Sequence, residues 1–543
     1  MTTLELGPLL RHVGTTTATI WVETSARCTV EVLGASAPTF EVSGQHYALV
    51  VVDGLEPGTC RPYEVRLDGE LVWPMAGAST PPSYLRTRRR DVEGERLRFV
   101  FGSCRYPPTD DPELEASLGI DALDAYATRL MDLVADTDDP DAVLPETLCL
   151  LGDQVYADEL TPRTQRWIRE RRGPGVEPQD EIVDFGEYAH LYSESWTDRE
   201  LRWLLSTVPT AMIFDDHDVR DDWNTSQTWR EEMAAQPWWP ERIRAALASY
   251  WVYQHLGNLD PATRDADPLY RKVLEADGDV FDLLSDFAGR ADAEVGEPTG
   301  VRWSYRWDLG RTRLLMVDSR CARVLNTEDR LMINEHSFAW IEENANGFDD
   351  DVDHLLIGSS IPWLMPPAVS HVQSLDELAA TKGSRLAEKV RQAVDLEHWP
   401  AFRASFDRLA DVVRGVASGP NAPATVCVLS GDVHHSYAAE ARYPSPTRSR
   451  VYQLTCSPVR NGVPWFMEYV FALGWSRRLS RLLGRVATTA GLDEPPLDWS
   501  TIGGPWFGNA VSTLEVTGRD AHLRVERSGA RGGLEPVATL PLT

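Results

Sequence analysis

Thr147–Asp158 reads TLCLLGDQVYAD: a run of apolar or small residues from Leu148 to Gly152 gives way at once to Asp153, with Tyr156 and Asp158 close behind. A run this short and without alternation suits a strand buried on both faces, as in a parallel sheet. A carboxylate after such a strand lies at its carboxyl end, where open α/β sheets gather their ligands. Taken alone, Asp153 reads equally well as the cap of a following helix. The recurrence of the pattern tips the balance.

Outward from this stretch come LRFVFGSC (Leu97–Cys104), TAMIFDDHD (Thr210–Asp218), RLLMVDSR (Arg313–Arg320), HLLIGSS (His354–Ser360), TVCVLSGDVHH (Thr425–His435) and VYQLTCSP (Val451–Pro458). Most end in a chemically useful residue: Cys104, Asp215 with Asp216, Asp318, Ser359, Asp432. Such repetition argues for a shared site along one sheet edge. Helical stretches separate the runs, so the class is α/β. Phe185–Thr207 is amphipathic, and the Trp- and Tyr-rich Trp238–Leu256 packs as core. Val463–Leu492, apolar first and basic second, reads as a packed helix pair with a solvated basic face, ahead of a membrane contact or a lid. The last forty residues alternate and add antiparallel strands.

Residues 1–85 follow a different grammar. TTTATIWVET (Thr15–Thr24), CTVEVLG, YALVVVDGL and CRPYEVRLDG come at short spacing with Gly and Pro between them, the rhythm of an Ig- or fibronectin-like β-sandwich. No catalytic constellation occurs there, so an accessory role is expected. Residues 86–96 read as a linker and 97–543 as the catalytic domain.

The 543 residues carry 53 basic and 83 acidic side chains, a formal charge of −30. Such a surface repels nucleic acid and anionic lipid. A phosphate-bearing substrate then needs a site with concentrated positive charge, which a metal ion supplies. Seven cysteines, several inside apolar runs, are no disulfide framework. No apolar run is long enough to span a membrane and no signal peptide is visible, so a cytoplasmic location is expected.

Three clusters carry the chemistry. They are Gly152-Asp153-Gln154-Val155-Tyr156; Asp215-Asp216-His217-Asp218 with Asp221, Asp222 and Trp223; and Gly431-Asp432-Val433-His434-His435. So many carboxylates in one small region repel each other unless cations offset them. Carboxylates suit hard cations and imidazole suits transition metals, so the mixture suggests one or two metals. His434 and His435 point opposite ways on an extended segment, one to ligate and the other to face substrate.

The set GSC, GDQVYAD, DDHDVRDDW, VDSR and SGDVHHS, in that order after a β domain, resembles the alkaline phosphatase D family, the PhoD-like metallophosphatases of the metallophosphoesterase superfamily. The resemblance implies a metallophosphoesterase-like αβ-sandwich with a two-metal site at its strand ends. By resemblance, Asp153 bridges the metals, Tyr156 gives a phenolate to Fe3+, and Cys104 gives a thiolate to the same region. Asp216, Asp432 and His434 would be further ligands, and His217 the catalytic imidazole. A second metal such as Ca2+ is implied, with Zn2+ or Mn2+ as alternatives, and Asp221 or Asp222 is a candidate calcium ligand. The middle strand ends Ile357-Gly358-Ser359-Ser360 without the lone His ligand common in the superfamily, so that second ion is expected to be hard and weakly held. Arg105, Arg320 and His435 are candidates to contact substrate, the arginines through the planar fork that phosphate favours.

The expected reaction is metal-dependent hydrolysis of a small-molecule phosphate ester, monoester or diester, by activated water, with His217 giving a proton or orienting the phosphate. The competing class is a non-catalytic binding protein with a degenerate metallophosphatase core. A serine hydrolase has little support, because no G-x-S-x-G elbow stands beside a suitable strand.

Overall fold

The computed structural model describes residues 1–90, 94–296, 298–326, 330–346, 352–382, 384, 387, 396–462, 465–530 and 532–543. Thr147–Leu151 is a strand with every residue buried. It runs parallel to Arg96–Gly102 on one side and Thr210–Ile213 on the other. These three head a six-stranded sheet completed by the antiparallel strands Ala510–Thr517, Asp520–Ser528 and Leu534–Pro541. The alternating C-terminal segment therefore joins the catalytic sheet, as its pattern predicts.

A second sheet has seven strands in the order Tyr305–Leu309, Thr312–Val317, His354–Ser359, Thr425–Ser430, Arg450–Thr455, Ser436–Arg442 and Asp498–Trp506. Its strands from Thr312–Val317 to Arg450–Thr455 are parallel to one another. Side chains alternate across it with the two-residue period of a strand. Leu314, Met316, Leu356, Leu429 and Leu454 join the core shared with the first sheet. Leu315, Val317, Leu355, Ile357, Val426 and Val428 pack with Phe338 and Ile341 of helix Glu335–Ala345 and with Phe406, Leu409 and Val413 of helix Arg403–Ser418. Both faces are apolar because both are covered, which is why these strands read as unbroken runs. Two sheets face to face between helices make an αβ-sandwich.

The N-terminal region is all β. One four-stranded sheet runs Leu4–Val13, Ala18–Thr24, Gln45–Val52, Phe40–Val42, and the other Ala35–Pro38, Thr29–Val32, Val65–Leu67, Glu70–Trp73. Ala18–Thr24 is buried throughout. Ile20 and Val22 enter the core between these sheets, whereas Trp21 enters the large core of the catalytic region. Buried Arg11 donates to the carbonyls of Tyr253 (3.2 Å) and Gln254 (2.7 Å) and to Asn258 Oδ1 (2.8 Å). Arg202 Nε in turn donates to the Gly7 carbonyl at 2.7 Å. Residues 91–93 of the expected linker lie outside the described residues. Arg86 at its start is tied to the carbonyls of Leu144 (2.8 Å) and Pro145 (2.7 Å). The β region is thus clamped onto the catalytic region by its inner sheet face.

The insertions are helical. Asp184 and Glu187 form a capping box at the start of Phe185–Trp196, and Asp198 caps Arg199–Thr207. Trp239–Tyr250 runs into a π-helical turn, Trp251–His255, and both are core. Trp465–Gly474 and Arg477–Ala490 form the expected helix pair. No helix among the described residues is long and apolar enough to cross a membrane.

Candidate metal centre and active site

The carboxyl ends of the two sheets meet at two Gly-Asp turns. Gly152 has φ +106°, and a Cβ there would lie 2.6 Å from Asp215 Cβ and 3.2 Å from Ser360 Cβ. A Cβ on Gly431 would overlap the Ser103 hydroxyl. The aspartate of each turn, Asp153 and Asp432, follows a glycine because the strand ends close on each other with no room for a side chain. Cys104, Asp153, Asp432 and His434 all have positive φ, as do Asp222 and Asn224 nearby. Only three other non-glycine residues among the described ones, Leu33, Ser43 and Asp68, share that conformation. Backbone strain concentrated in this way marks functional sites.

Asp218 organises the first turn. Its carboxylate accepts from the N–H groups of Asp153 (3.0 Å), Gln154 (3.3 Å) and Asp215 (2.9 Å). The second turn is held by Asp432 N–H donating to Ser103 Oγ at 3.0 Å and Gly431 N–H to the Ser360 carbonyl at 2.8 Å.

Asp153, Asp215 and Asp216 are buried and offer ligand atoms within 4.8 Å of one another. Neither carboxylate oxygen of Asp153, nor Oδ2 of Asp215, has a hydrogen-bond partner among the described residues. Burial, and then the neighbouring carboxylates, push the Asp153 carboxyl well above the usual range, although the charge of His217 opposes them. Burial likewise raises Asp215 and Asp216 against the pull of Arg320. Buried carboxylate oxygens with no donor cost several kcal/mol each, roughly, unless a cation meets them. This donor set fits a hard metal cation.

Cys104 and Tyr156 belong to the same electrostatic neighbourhood. Burial raises both far above their ordinary values, and the charge of Asp153 raises them further. Cys104 Sγ accepts from Ser457 Oγ at 3.3 Å, and the Tyr156 hydroxyl accepts from Asn461 Nδ2 at 2.9 Å. The Tyr156 ring lies 4.9 Å from that of His217. His217 Nδ1 is 2.9 Å from Asp158 Oδ1. Burial works against its charge, but Asp158, Asp153 and Asp216 outweigh it and hold the imidazole protonated well above its usual pKa. Burial would raise Asp158, yet His217 draws it down to about 2.

Around the second turn, Asp432 Oδ2 pairs with His398 Nε2 at 2.9 Å, which lowers the Asp432 carboxyl despite burial. Burial holds His434 down to about 4, so its neutral, ligand-competent form dominates at neutral pH. His434 is not part of the tight Asp153–Asp215–Asp216 group; it lies where Asp432 and His217 act on its charge. His435 stacks on Phe471 at 4.2 Å and on Tyr437 at 5.2 Å. Its Nδ1 is 2.7 Å from the Val433 carbonyl, which assigns the N–H to that atom and leaves the buried Nε2 a bare acceptor.

Both arginines expected to hold substrate are engaged by protein. Fully buried Arg320 pairs through Nε with Asp215, through Nη2 with Asp216 (3.1 Å) and through Nη1 with Glu397. Buried Arg105 pairs with Asp121 (2.7 Å), Asp124 (3.2 Å) and Asp198 (2.9 Å) and donates to the Ser195 carbonyl. Neither presents the free fork the sequence suggests. Asp318, also a strand-end carboxylate, caps its own loop by accepting from the N–H groups of Arg320 and Cys321. Asp221 and Asp222 donate their N–H groups to Asp158 Oδ2 (2.6 Å) and Asp216 Oδ2 (3.1 Å), so the segment they stand on frames the site. Sequence reasoning missed Glu397 and His398, which follow no apolar strand, and gave Asp218 no role of its own. The only trace of the first two was the need of Arg320 and Asp432 for buried partners.

Two facing sheets thus bring buried carboxylates together at their carboxyl ends. Residues 128–471 match the PhoD-like phosphatase family, and residues 1–85 match a domain of unknown function, DUF7800. The chain belongs to the PhoD-like phosphatase family and is a phosphoester hydrolase. The solved structure of PhoD is similar over 99% of this chain and 92% of its own, with a TM-score of 0.57 at 13% identity. A purple acid phosphatase, PPD1, from yellow lupin (Lupinus luteus) seeds gives a TM-score of 0.48 at 10% identity, over 97% of this chain and 73% of its own. None of the curated proteins matches.

Proposed function

We propose that this enzyme hydrolyses phosphate monoesters or diesters with water activated at metal ions held by Asp153, Asp215 and Asp216, with Cys104, Tyr156, Asp432 and His434 as the flanking ligands. One observation carries the reading: the two buried oxygens of Asp153 have no donor among the described residues and face a second and a third carboxylate. When bound, the cations supply positive charge that acidifies water and offsets the charge on phosphoryl oxygens.

The chain's own groups have distinct tasks in this reading. His217, kept protonated by Asp158, is the group to hold a phosphate oxygen or to pass a proton from Nε2 to the departing ester oxygen. Arg320 aims Asp215 and Asp216 and is a positioning residue. Asp218 fixes the turn that carries Asp153. Cys104 and Tyr156 are protonated as they stand and must lose those protons to ligate, which favours Fe3+ at their end. The oxygen-rich set favours Ca2+, with Zn2+ or Mn2+ as alternatives. Residues 1–85 buttress this machinery and 97–543 contain it.

Asp153→Asn is the test. It is expected to lose bound metal together with turnover of p-nitrophenyl phosphate and its bis ester. Unchanged metal content and turnover would refute the reading, and the ratio of the two substrates in the native enzyme separates monoesterase from diesterase.

A further inference from the structure

The net charge of −30 argues against any anionic partner, yet the charge is not spread evenly. From Tyr469 to Leu492 the chain has four arginines and no acid. Arg477, Arg478, Arg481 and Arg485 are all exposed on the helix Arg477–Ala490. None of the four pairs with a carboxylate among the described residues, in a protein where most arginines that approach an acid do so within 3.3 Å. Arg478, Arg481 and Arg485 recur at three- and four-residue spacing, so they share one face of the helix.

Leu482 (59% exposed) and Val486 (47%) lie along the edge of that face, while Leu479, Leu483 and Ala487 turn inward. The preceding helix adds Tyr469 (67%) and Leu473 (60%). Tyr469, Leu473 and Leu482, after Met1 the most exposed large apolar side chains among the described residues, are therefore gathered with Val486 on one helix pair beside four arginines that form no ion pair among the described residues. A basic face flanked by exposed apolar side chains is the composition of a helix lying in a lipid interface. The pair also borders the active site: Phe471 stacks on His435 at 4.2 Å, and Trp475 meets Tyr437 edge-on at 5.1 Å.

We propose that the helix pair Trp465–Gly474 and Arg477–Ala490 docks the enzyme on an anionic lipid surface, with the active site opening beside the contact. Charge complementarity selects this occupant. Asp493, Glu494 and Asp498 line a cavity with Arg481 and Arg485 but form no ion pair with them among the described residues, and acidic groups beyond a screening length of about 8 Å do not cancel the arginines. Leu482, Val486 and Leu473 then enter the headgroup boundary, which a soluble polyanion does not offer.

The test is co-sedimentation of the full-length protein with vesicles of phosphatidylcholine alone and of phosphatidylcholine with phosphatidylglycerol. Binding is expected only to the second and is expected to weaken at high salt. Replacing Arg478, Arg481 and Arg485 together by Gln should lower partitioning on the order of a hundredfold. Leu482→Ser should lower it by less, with turnover of a soluble ester retained in both variants as the check on folding. Vesicle binding that survives the triple replacement overturns the proposal. Equal binding to neutral vesicles overturns it as well, as does capture by soluble dextran sulfate with no affinity for vesicles.

Discussion

The turns Gly152-Asp153 and Gly431-Asp432 are built alike and surrounded differently. Each follows a fully buried parallel strand, each needs its glycine for the approach of the opposite sheet, and each sets its aspartate at positive φ. Asp153 faces Asp215 and Asp216, and its carboxylate has no donor among the described residues. Asp432 has a histidine partner, His398, and lies beside His434. The same local device thus builds a site that demands a cation at one strand end and a carboxylate held ready at the other. Local backbone chemistry fixes where a carboxylate goes, and its non-local neighbours fix its charge state.

The largest effect expected from breaking this comparison is at Asp153. Asp153→Asn should cost roughly 10³-fold in kcat, because a metal ligand supplies several kcal/mol to the transition state. In metal-free protein the same change should raise Tm, since it removes a buried carboxyl whose oxygens lack a donor among the described residues. A fall in metal-free Tm would show that Asp153 is satisfied in another way.

The next effect is steric. Gly431→Ala should destabilise by about 3 kcal/mol as its methyl meets the Ser103 hydroxyl, whereas Gly431→Ala with Ser103→Gly should recover part of the loss in a denaturation series, the remainder being the Asp432 N–H bond to Ser103 Oγ that the second change removes. At the second turn, His398→Ala should weaken metal binding by about 10–100-fold while leaving Asp153 chemistry in place, as loss of an outer partner of a ligand does. Metal titration by calorimetry measures it, and an unchanged affinity would remove Asp432 from the ligand set.

The last effect lies far from both turns and serves as their control. Glu23, buried beside the Tyr253 hydroxyl (3.0 Å), is raised by burial to about 8. The folded protein therefore holds a proton there that the unfolded chain releases above its ordinary value of 4.5. Between those values the folded state binds more protons, so stability falls as pH rises, by a few kcal/mol at most. Denaturation midpoints measured from about pH 5 to about pH 8.5 should decline less in Glu23→Gln than in the native protein, with metal content unchanged in both. Equal slopes would place the titrating group elsewhere.

Much of the architecture was legible in the sequence because buried parallel strands leave continuous apolar runs and their carboxyl ends carry the chemistry. Asp153 and Asp216, which the structure brings together, were legible in this way. Arg105 and Arg320 were misread as free forks because their partners stand far away in the chain: Asp121, Asp124 and Asp198 for one, Asp215, Asp216 and Glu397 for the other. The N-terminal region was read as accessory because it holds no catalytic constellation; that Trp21 in Ala18–Thr24 faces a second core was not legible in its sequence.

By itself the sequence determined the strand ends, the glycines that let them close, and the acidic and imidazole groups placed there, since these depend on period, φ and residue type within a few positions. Only the tertiary structure decided which of those groups are paired and which lack a partner. Charge state in a buried site follows from distance to groups far away in the chain, and only folding sets those distances.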